Sequence, residues 1–105
     1  MPQCEYIGPS GNQCKENADE GKSICFWHDR DADKSGDDIK ERLEQKARAM
    51  ESCEGYELMR ANLEDAFIIE LDLSYANLER VNLQDGSLFG INLRGANLMK
   101  ANLRD

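Results

Sequence analysis

From Tyr56 to Asp105 the chain repeats one five-residue phrase ten times: YELMR, ANLED, AFIIE, LDLSY, ANLER, VNLQD, GSLFG, INLRG, ANLMK, ANLRD. The third place holds Leu58, Leu63, Ile68, Leu73, Leu78, Leu83, Leu88, Leu93, Leu98 and Leu103. After a leading Tyr56, the first place is small or apolar: Ala61, Ala66, Leu71, Ala76, Val81, Gly86, Ile91, Ala96 and Ala101. The second place is mostly Asn or Asp, as at Asn62, Asp72, Asn77, Asn82, Asn92, Asn97 and Asn102. A period of five matches neither the 3.6 of a helix nor the 2 of a strand. On a helix each block advances about 500°, so the leucines scatter over every face. On a strand alternate leucines point to opposite sides. The period therefore demands a backbone that bends the same way every five residues, with first and third places inward. Stacked coils of that kind form a solenoid. The second, fourth and fifth places then face water.

At these residues the chain resembles the pentapeptide-repeat family, whose motif is A-(D/N)-L-x-x. The resemblance implies an all-β solenoid, a right-handed four-sided β-helix with four blocks per turn. Residues twenty apart then stack at the ordinary β spacing of about 4.7–4.9 Å. Under that stacking Arg60, Arg80 and Lys100 form one column, and Asp65, Asp85 and Asp105 the next. Asn62, Asn82 and Asn102 stack, as do Glu57, Asn77 and Asn97. Asn at these places bonds turn backbone and tolerates unusual dihedrals, a structural role.

One wall departs from the rule. Phe67 stands where Asn or Asp belongs, and Ile69 and Phe89 stand at fourth places, with Ile69 stacked under Phe89. Three outward apolar side chains need a cover, supplied either by the upstream segment or by a protein partner. At the other extreme of the repeat, Leu98, Ala101 and Leu103 lie on a coil edge that invites pairing. Some members of the family pair through their last coils, which implies a homodimer junction there. A longer natural chain would cover the same edge.

Residues 1–30 differ in kind. They carry Cys4, Cys14, Cys25 and His28, spaced C-x9-C-x10-C-x2-H, with few aliphatic residues beyond Ile7 and Ile24. So small a core cannot order thirty residues. A structural Zn²⁺ held by Cys₃His supplies the missing stability. Free buried thiols with a surface histidine are one alternative. A catalytic Cys25–His28 pair is another, although the chain offers it no orienting third group. Phe26 and Trp27 are expected to pack over the site or onto the coil.

Residues 31–55 form a polar linker and then an amphipathic helix expected over 39–53. Its stripe is Ile39, Leu43, Ala47 and Met50; Ser35 or Asp37 can cap its start and Gly55 can end it. It is expected to lie on the N-terminal end of the solenoid or on the Phe67, Ile69, Phe89 wall. Cys53 reads as a small buried residue, a free thiol, or a substitute zinc ligand. The domains are thus a zinc module at 1–30, a linker and capping helix at 31–55, and the β-helix at 56–105.

A formal charge of −8 argues against nucleic acid and anionic membrane as ligands. No apolar run is long enough to span a membrane, and no signal-peptide pattern precedes Cys4. Four cysteines without a leader read as metal ligands or thiols of a cytoplasmic protein. Neither a phosphate loop nor a catalytic constellation is present. The expected function is non-enzymatic: protein–protein interaction through coil faces. The resemblance implies an alternative, because some members are acidic rods that resemble duplex DNA and bind a type II topoisomerase (gyrase). Those rods are longer, and here basic columns interrupt the acidic ones. Nucleic-acid binding through the zinc module is a third reading, opposed by Asp19, Glu20, Asp29, Asp31 and Asp33.

Overall fold

The bend that the period requires is a residue in the left-handed region at every fifth position. In the computed structural model, which describes residues 2–104, φ is positive at Met50, Gly55, Arg60, Asp65, Glu70, Tyr75, Arg80, Asp85, Gly90, Gly95 and Lys100. From Gly55 onward each is the second central residue of a turn closed by the next block, whereas Met50 ends a helix, with Glu51 N–H donating to Lys46 O at 3.0 Å. Ala61 N–H donates to Leu58 O at 3.1 Å, and Ala66 N–H to Leu63 O at 3.0 Å. Positive φ at that one position is the signature of a type II turn. Eight of these residues are not glycine, and each costs about 1–2 kcal/mol in this conformation. Only a strongly determined surrounding holds them there.

That surrounding is a ladder between successive coils. Parallel bridges join residues twenty apart: Ser52 to Asp72, Glu57 to Asn77, Asn62 to Asn82, Phe67 to Ser87, Asp72 to Asn92, Asn77 to Asn97 and Asn82 to Asn102. At one wall Leu58 N–H donates to Asn77 O at 2.8 Å, and Asn77 N–H to Tyr56 O at 2.8 Å. The expectation of an all-β fold needs refinement here. Two residues of each five turn, so the ladder consists of single-residue bridges, and no continuous strand or sheet forms among the described residues.

The second-place asparagines tie both levels together. Asn82 Oδ1 accepts from Gln84 N–H at 3.0 Å within its own block. Its Nδ2 donates to Asn62 Oδ1 at 3.3 Å, and it accepts in turn from Asn102 Nδ2 at 3.3 Å. First and third places point inward and are buried as far as Leu83. Leu88, Ile91, Leu93, Ala96 and Leu98 are half-buried, because among the described residues no further coil lies over them.

The boundary between helix and coil differs from expectation. Helix α1 spans Asp38–Arg48 and ends five residues earlier than the pattern suggested. Met50 takes φ 58° and is 85% exposed, so it leaves the apolar stripe, while Glu51 to Gly55 form one more coil block. Cys53 fills the leucine place of that block, fully buried, with its N–H donating to Asp72 O at 2.8 Å. The helix start makes no side-chain cap; Ser35 donates to Asp33 instead. Buried Ile39 and Leu43 therefore anchor α1.

The first coil leaves edge amides that an earlier coil would have satisfied, and upstream residues take that place. Glu57 N–H donates to Trp27 O at 2.7 Å, and Phe67 N–H to Glu44 Oε2, on α1, at 2.9 Å. No helix among the described residues is long and apolar enough to cross a membrane.

Candidate metal centre

The nine-residue gap between Cys4 and Cys14 is resolved by an antiparallel ribbon. Bridges pair Gln3 with Asn17 and Ile7 with Gln13, around a turn in which Gly11 takes φ 89°. Cys4 N–H donates to Glu16 O at 2.8 Å, and Cys14 N–H to Tyr6 O at 2.9 Å. Residues 4 and 6 then share one ribbon face with 14 and 16, which turns both cysteines to the same side. The other two donors come from the 3₁₀ turn Phe26–His28, where His28 N–H donates to Cys25 O at 3.2 Å.

Donor atoms of Cys4, Cys14, Cys25 and His28 all lie within 4.8 Å of one another. His28 Nδ1 is 3.6 Å from Cys4 Sγ and 3.4 Å from Cys25 Sγ, and Cys14 Sγ is 3.9 Å from Cys25 Sγ. A tetrahedral ion with metal–sulfur bonds of about 2.3 Å and a metal–nitrogen bond of about 2.0 Å sets donors about 3.5–3.8 Å apart. The three separations just given come close to those values, and the four side chains can hold a metal ion.

The surroundings orient the donors. His28 Nε2 lies 2.8 Å from Glu54 O, a carbonyl that can only accept. Nε2 therefore carries the proton, which leaves the Nδ1 lone pair facing the three sulfurs. Tyr6 stacks on the imidazole with ring centroids 3.9 Å apart, and Tyr56 meets it edge-on at 5.2 Å. Cys25 N–H donates to Cys4 Sγ at 3.2 Å.

Burial pushes the Cys25 thiol up to about 12, raises Cys14 and lowers His28. Desolvation alone thus opposes the charged forms of these three groups. A cation at its centre reverses that logic, because it favours thiolates and neutral imidazole. Cys53 lies apart in the coil core, its thiol also raised to about 12 by burial, and is not among the four clustered donors.

The cluster is joined to the coil on several sides. Trp27 stacks on Tyr56 at 5.0 Å, with the Arg42 guanidinium 4.7 Å from its ring. Half-buried Phe26 receives Lys34 at 4.7 Å and Arg42 at 4.9 Å. The Glu54 carboxylate accepts from Ser10 Oγ at 2.7 Å and Ser10 N–H at 3.1 Å. The ribbon turn passes so near that a Cβ on Gly8 would stand 2.4 Å from Glu54 Cδ. Residue spacing gave no hint of Tyr6 and Glu54 as supports of the site.

The remaining sequence candidates lie on the coil. Phe67 is 54% and Phe89 81% exposed, with Ile69 half-buried between them. Glu44 reaches the Phe67 backbone and leaves the ring open. Leu98 and Ala101 are half-buried, and Leu103 is 49% exposed.

The family model for pentapeptide repeats matches residues 57–95 and 76–105, with eight copies. Searches of curated proteins and of solved structures find no match. A period of five, a twenty-residue ladder and that match agree, and the C-terminal segment, residues 57–105, belongs to the pentapeptide-repeat family.

Proposed function

We propose that this protein is a non-enzymatic interaction rod: a right-handed, four-sided β-helix whose first coil is capped by a structural zinc module. One observation carries the interaction reading. Phe89 and Phe67 stand 81% and 54% exposed on a wall whose other outward places are mostly polar. Large apolar groups held in register on a rigid surface mark a place where a protein docks. The metal centre supports the non-enzymatic side, because its four donors come from the chain itself and leave no open position for substrate. Zinc would bind through Cys4, Cys14, Cys25 and His28 and supply folding energy. Four free cysteines suit a reducing, cytoplasmic setting. A second copy meeting the last coil at Leu98, Ala101 and Leu103 is the homodimer arrangement of this reading.

The test places a photo-crosslinking residue at position 89, with a control at Arg94 on another wall, in cells producing the full chain. A discrete heavier species from position 89, lost in Phe67→Asp and absent from the control, is the expected result. Equal or no adducts from the two positions would refute the wall as a docking surface. Elemental analysis should find one zinc per chain.

A further inference from the structure

The four donors are not equally protected. Cys4, Cys25 and His28 are 0%, 2% and 8% exposed, whereas Cys14 is only half-buried. Cys14 also lines a cavity of about 540 Å³ between the ribbon and the first coil block, bordered by Gln13, Lys15, Met50 and Ser52. Glu16 and Glu51, on the same border, are both paired with Lys46. His28 lines the same cavity, but Cys14 brings the one cysteine among its described lining residues, so a small neutral oxidant entering there meets that cysteine sulfur first. Cys25 Sγ lies 3.9 Å from Cys14 Sγ, within disulfide-forming reach after a small shift, and is itself buried.

We propose that Cys14 is a peroxide modification site that releases the metal by forming a Cys14–Cys25 disulfide; this rests on the zinc reading above. The Cys14 thiolate attacks one oxygen of hydrogen peroxide, the O–O bond breaks and hydroxide leaves. Sulfur is oxidised to sulfenic acid as the peroxide is reduced. The Cys25 thiolate then attacks that sulfur, the S–O bond breaks and a second hydroxide leaves. In total two thiolates and one peroxide give one disulfide and two hydroxide ions. Two of four donors are withdrawn, and Cys4 with His28 alone do not retain the ion.

The consequence reaches the coil. His28 is held toward the cluster while its Nε2–H donates to Glu54 O, and the adjacent Trp27 O accepts from Glu57 N–H. Loss of the ion frees both contacts, so oxidation uncaps the first coil.

The experiment treats the zinc-loaded full chain with hydrogen peroxide, follows zinc with a chromophoric chelator and maps thiols by peptide mass spectrometry. The expected early product is the Cys14–Cys25 disulfide, with one zinc released per disulfide and Cys53 unmodified. Cys14→His, which keeps a fourth ligand, should release zinc at least about tenfold more slowly. Should that variant fail to fold, brief iodoacetamide labelling of the loaded wild type replaces it, with Cys14 expected to react at least about tenfold faster than Cys4 or Cys25. First reaction at Cys4 or Cys25, a Cys4–Cys25 disulfide, or zinc loss with Cys14 intact would overturn the proposal. A chain that carries no zinc before treatment would instead defeat the zinc reading itself.

Discussion

The coil and the N-terminal module order their chains by opposite means. The coil spreads its stability over many equivalent contacts: an inward apolar residue and a turn bond recur every five residues, and asparagine links join most second places. The module concentrates it at one point, where four donors within 4.8 Å gather a ribbon and a 3₁₀ turn whose buried apolar residues, besides the cysteines, are few, with Trp27 the one large side chain. Redundancy makes a structure tolerant, and concentration, on the zinc reading proposed above, makes it conditional on a single ion. Joining the two gives the tolerant part a conditional end.

The largest expected effect strikes the conditional part. Stripping the ion, or Cys25→Ser, should unfold residues 2–30, since structural zinc contributes about 10–16 kcal/mol in small modules. Hydrogen exchange should show fast amides at Cys4, Cys14 and Glu57, while the amides of Leu78 and Leu83 stay protected. Equal loss of protection at Leu78 would mean that the two regions are one cooperative unit, which breaks the comparison. Next comes the distributed part. Leu78 is fully buried, and Leu78→Ala should cost about 2–5 kcal/mol in denaturant melts without releasing metal. The smallest effect probes one unit of the repeat. Arg80 takes φ 60°, and Arg80→Gly relieves that strain at some cost in backbone entropy. A net gain of about 0.5 kcal/mol is expected, and a loss would show that the arginine side chain stabilises its corner.

How much of this was legible in the chain follows from the same contrast. The third-place leucines announce the coil because each block repeats the statement, and an error in one block is corrected by its neighbours. The block at residues 51–55 escaped because Glu51 and Cys53 stand where small residue and leucine are usual, and because helical spacing ran on through Met50. Only Gly55 at the fifth place and Ser52 at the second hinted at it. In the module the ligand types were readable, but the ribbon that brings Cys4 to Cys14 was not, because a turn bridging so wide a gap leaves no knuckle spacing. The support of His28 by Glu54 O was unreadable in principle, since any residue carries that carbonyl.

The run of left-handed residues has a consequence for how the chain reaches this shape. A lone pentapeptide gains one turn bond and must hold an arginine, aspartate or tyrosine in a conformation it disfavours, so no block is stable by itself. Each acquires its partners only when laid upon a coil already in place, much as a crystal face accepts the next row. The upstream segment, whose Trp27 carbonyl and Glu44 carboxylate already wait for the first amides, is the seed from which such growth can start.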